Sequence, residues 1–206
     1  IYNGEIYNHL ILRQELKDDK NFNNWKGTSD SETLIQAIDI WGIEKTLKKI
    51  NGMFSFSIWN RQSKSLYLAR DRFGEKPLYY SWIPQNASFV FGSDLIFDKL
   101  FKNIKFELND EALNDLLHLN YINNNYSIFK NVYKLDPGCY SEIHFKKNQL
   151  PKINIKKYWK LENINYKKNN LNHLESINQL DIKLSNVVKD QIFADVEVGT
   201  FLSGGI

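Results

Sequence analysis

Apolar residues recur at helical spacing in some stretches of this 206-residue chain and alternate with polar ones in others. Over residues 7–18, Leu10, Leu12 and Leu16 recur on a helical period with Arg13, Gln14 and Lys17 outside, which predicts an amphipathic helix. Over 29–42, Leu34, Ile35, Ile38 and Trp41 make a buried stripe. Ser29 or Asp30 can cap that helix, Glu32 follows in its first turn and Gly42 stops it. The period then falls to two. Residues 52–60 and 64–71 read as a hairpin turning at Arg61–Ser63, and 77–83 and 87–93 as a second pair around Pro84–Asn86. Another capped helix over 109–121 and a strand over 138–146 follow.

From 146 to 173 the periodicity weakens and Lys and Asn dominate, the composition of a linker. A helical stripe returns over 174–192, and "ADVEVGTFLSGGI" reads as a strand entering a glycine loop. The expected organisation is therefore a domain over 1–146, a linker over 147–173 and the beginning of a second domain over 174–206. Helix, strand and glycine loop in that order is how a phosphate-binding α/β unit commonly begins. Residue 1 is Ile and the chain stops inside the glycine loop, so both ends read as cuts through a longer protein.

Composition narrows the functional classes. Hydrophobic content of 42% and aromatic content of 14% fit a folded core. A net charge of +3, with only four Arg among 27 basic residues and the lysines scattered, argues against a nucleic-acid partner. No apolar run approaches the roughly 18 to 20 residues of a membrane span, and no signal peptide is visible. One cysteine, Cys139, cannot close an intramolecular disulfide, so a reducing, cytoplasmic setting is expected. It enters the alternating stretch "CYSEIHF" and reads as a small buried hydrophobe, not a nucleophile.

Three stretches could carry chemistry. In "NGE", the Asn3 amide and the Gly4 main-chain N–H are suited to an oxyanion hole, because glycine lets a carbonyl approach the backbone; an ordinary Asn-Gly turn is the alternative. Asp30, in "TSDSE", is either a helix cap or a carboxylate for the α-ammonium of an amino acid. "SGG", Ser203 to Gly205, could cradle phosphate with main-chain N–H groups, though it lacks the lysine of a Walker loop.

Taken in order, "YNGEIYNHLILRQEL", "TSDSETLIQA", "INGMFSFSIWN", "LYLARDRFGEKPLYY", "VYKLDPGCY" and "ADVEVGTFLSGGI" resemble the glutamine-hydrolysing asparagine synthetase family over essentially the whole chain. The resemblance implies an α+β fold, an N-terminal-nucleophile αββα sandwich. The first helix and strand of an α/β adenine-nucleotide α-hydrolase-like domain would follow it. It implies a nucleophilic cysteine at the mature N-terminus, upstream of Ile1, with its own α-amine as base. Asn3 and Gly4 match the oxyanion hole; with Glu5 and Asp30, near the substrate ammonium, they make the glutamine site. Met53 matches a wall of the ammonia passage. Leu202, Ser203, Gly204 and Gly205 match the ATP loop. Arg70, Asp71 and Arg72 are expected to be ion-pair and domain-contact residues. "GSDLIFDKL" departs from the family, which commonly has Ser-Glu and a basic residue where Asp94 and Leu95 stand.

The implied reaction hydrolyses glutamine and uses ATP, with Mg²⁺, to convert aspartate to asparagine through an aspartyl-adenylate; the 206-residue piece itself is expected to be inactive. Glutamine, aspartate and ATP are the expected partners, and a homodimer is allowed. The alternatives are a related amidotransferase acting on another carboxylate, as in polysaccharide or peptide modification, or a non-catalytic module.

Overall fold

The computed structural model describes residues 1–101, 103–123, 125–146, 149–163, 171–192, 196–201 and 204. In chain order the elements are β1 (Tyr2–Ile6), α1 (His9–Lys17), α2 (Asp30–Trp41), α3 (Ile43–Lys49), β2 (Gly52–Asn60) and β3 (Ser65–Arg70). After them come β4 (Tyr79–Ile83), β5 (Ser88–Gly92), the short α4 (Phe97–Leu100), α5 (Asp110–Leu119), β6 (Val132–Lys134), β7 (Cys139–His144), β8 (Lys152–Lys157) and α6 (His173–Gln191). Each helix and hairpin that periodicity predicts is present, with ends shifted by a few residues.

The strands form two antiparallel sheets, one ordered β1-β2-β3-β7-β8 and one ordered β5-β4-β6. Strand alternation gives the larger sheet two apolar faces. On one, Ile6, Phe54, Phe56, Ala69 and Tyr140 pack against Leu12, Leu34 and Leu47 of the helices. On the other, Leu66, Leu68, Cys139 and Ile143 pack against Leu78, Tyr80 and Leu135, in or beside the smaller sheet. Each buried Leu, Ile or Phe among them contributes about 1.5–3 kcal/mol, so the two sheets and the helical layer are fixed together. On the smaller sheet's side, α5 is capped by Asn109, whose own N–H donates to Ile128 O at 2.9 Å.

One expectation changes. The linker over 147–173 is not structureless: Lys152–Lys157 pair residue for residue with β7, and the buried Tyr158 donates its hydroxyl to Arg70 O at 2.9 Å. The first domain therefore runs past 146. An edge strand that shows its lysines to solvent has the composition of a linker, which conceals it. Of the strand and glycine loop expected after α6, residues 194, 195, 202, 203, 205 and 206 lie outside the described residues, and the described residues 196–201 carry no ladder pairing. Helix α6 stands with every residue exposed, held at its start by a reciprocal capping box between Asn172 and Glu175. Among the described residues, no helix is long and apolar enough to cross a membrane.

Candidate active site

Strand β1 lies at the edge of the larger sheet. Tyr7 N–H donates to Asn51 O at 2.8 Å and Ser57 N–H to Ile1 O at 2.9 Å. In this register the odd-numbered residues of β1 turn their main-chain groups toward β2, and Tyr2, Gly4 and Ile6 turn theirs outward. Ile6 N–H is taken at 3.0 Å by the Oδ2 atom of Asp30. Gly4 N–H has no acceptor among the described residues. Gly4 sits at φ +149°, and a Cβ there would lie 2.1 Å from Met53 O and 2.6 Å from Phe54 Cα, so only glycine lets the two strands meet.

Side chains alternate about this edge. Tyr2 and Ile6 join the helix-facing core, so Asn3 and Glu5 project from the opposite face, toward the smaller sheet. There Asn3 Nδ2 donates to Ser93 Oγ at 3.1 Å, just beyond β5. One N–H of that amide is thereby held and the other left available. Glu5 lies directly opposite Met53 on β2.

Asp30 reaches the same edge from α2. Ser29 is the N-cap, its side chain accepting from Glu32 N at 3.3 Å, so Asp30 is freed from capping. Its Oδ2 accepts the Tyr2 hydroxyl at 2.5 Å as well as Ile6 N–H, and its Oδ1 has no partner among the described residues. The helix start is locked by buried Arg13, which donates to Thr33 Oγ1 at 2.8 Å, Gly27 O at 3.0 Å, Ser29 O at 3.3 Å and Glu32 Oε2 at 2.9 Å. Its guanidinium also lies 4.0 Å from the Trp25 ring centroid. The Tyr2 phenol is driven well above the ordinary range by burial, reinforced by the Asp30 bond and by the Asp30 and Glu5 charges.

The loop after β3 braces this arrangement. The fully buried Asp71 carboxylate accepts four main-chain N–H groups: Phe73 at 3.1 Å and Glu75 at 3.0 Å on Oδ1, Phe54 at 3.3 Å and Lys76 at 3.0 Å on Oδ2. Phe54 is the residue opposite Gly4. Arg70 donates to the carbonyls of Lys76, Leu135 and Gly74, and Arg72 to those of Lys48 and Ile50. The ion pairs expected of these residues are therefore corrected: among the described residues none of the three forms a salt bridge, because main-chain groups of the turn and of the segments beside it take their charges instead.

Asn3, Gly4, Glu5, Asp30 and Met53 thus gather around one strand, with Asp30 on the helix side of the edge and Asn3, Glu5 and Met53 on the other face. Successive outward N–H groups on a strand are about 6.8 Å apart, so the free Gly4 donor and the carboxylate held at Ile6 are separated by roughly that span. A small molecule with a polarised carbonyl at one end and an ammonium at the other matches this pairing. Cys139 is buried, and burial pushes its thiol up, which suits a core residue and not a nucleophile. Of the glycine loop, Leu202, Ser203 and Gly205 lie outside the described residues; nothing lies within 4 Å of a Cβ built at Gly204. The described residues form no cluster of three or more metal-ligating side chains. Sequence reasoning did not single out Tyr2 or Ser93, whose roles depend on contacts 28 and 90 residues away.

A family model described as a glutamine amidotransferase domain matches residues 1–159. The putative glutamine-hydrolyzing asparagine synthetase 2 of Methanocaldococcus jannaschii is 34% identical across 100% of this chain and 38% of its own length. The glutamine-hydrolyzing asparagine synthetase 3 of Bacillus subtilis is 31% identical across 100% of the chain and 32% of its own. The amidase chyE of Penicillium rubens is 30% identical across 100% and 29%. The chain therefore spans only 29% to 38% of these relatives. A solved structure of the allosteric regulatory enzyme of purine biosynthesis superimposes with a TM-score of 0.51 over 77% of this chain and 28% of its own, at 16% identity, a likeness of fold alone.

Proposed function

The chain belongs to the glutamine amidotransferase domain family, with its N-terminal-nucleophile fold, and from that premise we propose that the β1 edge binds glutamine and assists its hydrolysis. The observation that carries this reading is the free Gly4 N–H beside the Asn3 amide, on the same strand edge as a carboxylate with one open oxygen. Glutamine extends along the edge with its α-ammonium at Asp30 Oδ1, and Glu5 adds negative field. Its side-chain carbonyl sits at Gly4 N–H. When a thiolate from outside residues 1–206 attacks, negative charge develops on that oxygen, and Gly4 N–H and Asn3 Nδ2–H are aimed at it. Removing one such donor typically costs about 10² to 10³ in turnover.

Beyond hydrolysis, the names of the relatives support an ammonia-consuming partner reaction that forms asparagine; we propose that aspartate is the acceptor and that ATP, with Mg²⁺, activates it. Met53, beside Glu5, would line the route by which ammonia leaves; a thioether wall keeps it unprotonated. An amidase among equally covered relatives means that this domain is not tied to asparagine synthetases by name, which leaves room for a second reading, in which another carboxylate is the acceptor. The test is to supply the full-length protein with amide-¹⁵N glutamine, ATP, Mg²⁺ and aspartate. Label in asparagine supports the first reading. Label passed to a different carboxylate acceptor supports the second, and label released only as ammonia removes aspartate as the acceptor. No release from glutamine refutes both.

A further inference from the structure

We propose that Tyr2 is a positioning residue that fixes the Asp30 carboxylate for the ammonium group of glutamine; this rests on the reading of Asp30 given above. Two donors converge on one oxygen: the phenol at 2.5 Å and Ile6 N–H at 3.0 Å both meet Asp30 Oδ2. A carboxylate clamped through one oxygen cannot turn about its side-chain torsions, so Oδ1 is held in one place at the edge, with no partner among the described residues. Without the phenol, a single main-chain bond would remain and the carboxylate could swing, losing the fixed geometry on which binding of a small cation depends. Ser29 already caps the helix, so Asp30 has no other local anchor.

The clamp also sets selectivity. Tyr2 contributes a neutral donor, leaving the site's charge negative and suited to one ammonium. Burial and the adjoining carboxylates keep the phenol protonated, so it donates throughout the working pH range. A buried cation in its place would cancel the field.

The experiment uses the full-length enzyme and its Tyr2→Phe variant, which keeps the ring and removes the donor. Glutamine is compared with glutaramate, the analogue lacking the α-amino group. For glutamine, kcat/KM is expected to fall about tenfold, carried by KM, the size of a weakened charge-assisted contact. For glutaramate it is expected to stay unchanged. Competitive inhibition by L-glutamate and by glutarate makes the same comparison without turnover: the first should weaken about tenfold and the second not at all. Equal losses for both members of either pair would mark Tyr2 as a structural brace and overturn the proposal, as would no loss for either. Wild-type enzyme that releases no ammonia from glutamine would instead overturn the glutaminase reading itself, and the proposal with it.

Discussion

Replacing Asp71 by Asn changes almost nothing in shape and should nonetheless be severe. Each carboxylate oxygen accepts two main-chain N–H groups, all within 3.0–3.3 Å, in a side chain with no exposure. Asn can keep one oxygen. Whichever way its amide is turned, two of the four N–H groups meet an NH₂ instead of an acceptor. Leaving a buried donor unsatisfied costs about 1–3 kcal/mol, so the pair costs about 2–6 kcal/mol. Against a domain stability of roughly 5–15 kcal/mol that is a large fraction, equivalent to about 10 °C in unfolding temperature at 2–4 °C per kcal/mol. The assay is urea unfolding of full-length wild type, Asp71→Asn and Asp71→Ala, with amide exchange followed at Phe54, Phe73, Glu75 and Lys76. Exchange at these four should quicken together, and Ala, which strands all four, should cost at least as much as Asn. A loss for Asn below about 1 kcal/mol would refute the reasoning, since it would mean the four contacts are not satisfied by charge.

Asn3→Ala in the full-length enzyme should lower glutamine turnover about 10²- to 10³-fold with little change in glutamine affinity. Asn3→Asp should be as damaging or worse, because a carboxylate would face the developing oxyanion; steady-state kinetics with both variants checks this. Ser93→Ala releases the Asn3 amide and should reduce turnover several-fold, about the value of one neutral hydrogen bond, while Ser93→Thr retains activity. Glu32 is held below the ordinary carboxylate range, chiefly by Lys26 N–H and further by Gly27 N–H and Arg13. A depressed folded value means its stabilising contribution is fully present above the unfolded value and lost as pH falls through the folded one. The stability gap between wild type and Glu32→Gln, read from unfolding temperatures, should therefore be constant near neutrality and close below about pH 4.3.

What was legible in the sequence was local. Ser29 and Asn109 announce their helices because an N-cap is a short-range bond, and the 52–70 hairpin announces itself because a period of two is written in adjacent residues. Helix α3 escaped because Gly42, at φ +79°, ends one helix and starts the next, so a stop signal concealed a start. The candidate site was readable as far as Asn3, Gly4, Glu5, Asp30 and Met53 through resemblance. Their division between the two faces of β1 follows only from the pairing register. The brace was misread for a physical reason: adjacent Arg and Asp suggest each other, whereas in the fold both are consumed by stranded main-chain groups, which composition cannot reveal.

Among the described residues the larger sheet has two edge strands, β1 and β8, each a template on which a foreign strand could grow. At β8 the deterrent is electrostatic, with Lys152, Lys156 and Lys157 along the strand. At β1 the row would have to stay open for the Gly4 N–H to meet the glutamine proposed above. Asp30 resolves the conflict by occupying the Ile6 N–H and setting a negative charge beside it. An intruding strand would find that rung already taken and would have to bury a carboxylate to continue. The residue proposed to receive the substrate would thus also guard the β1 edge against strand addition.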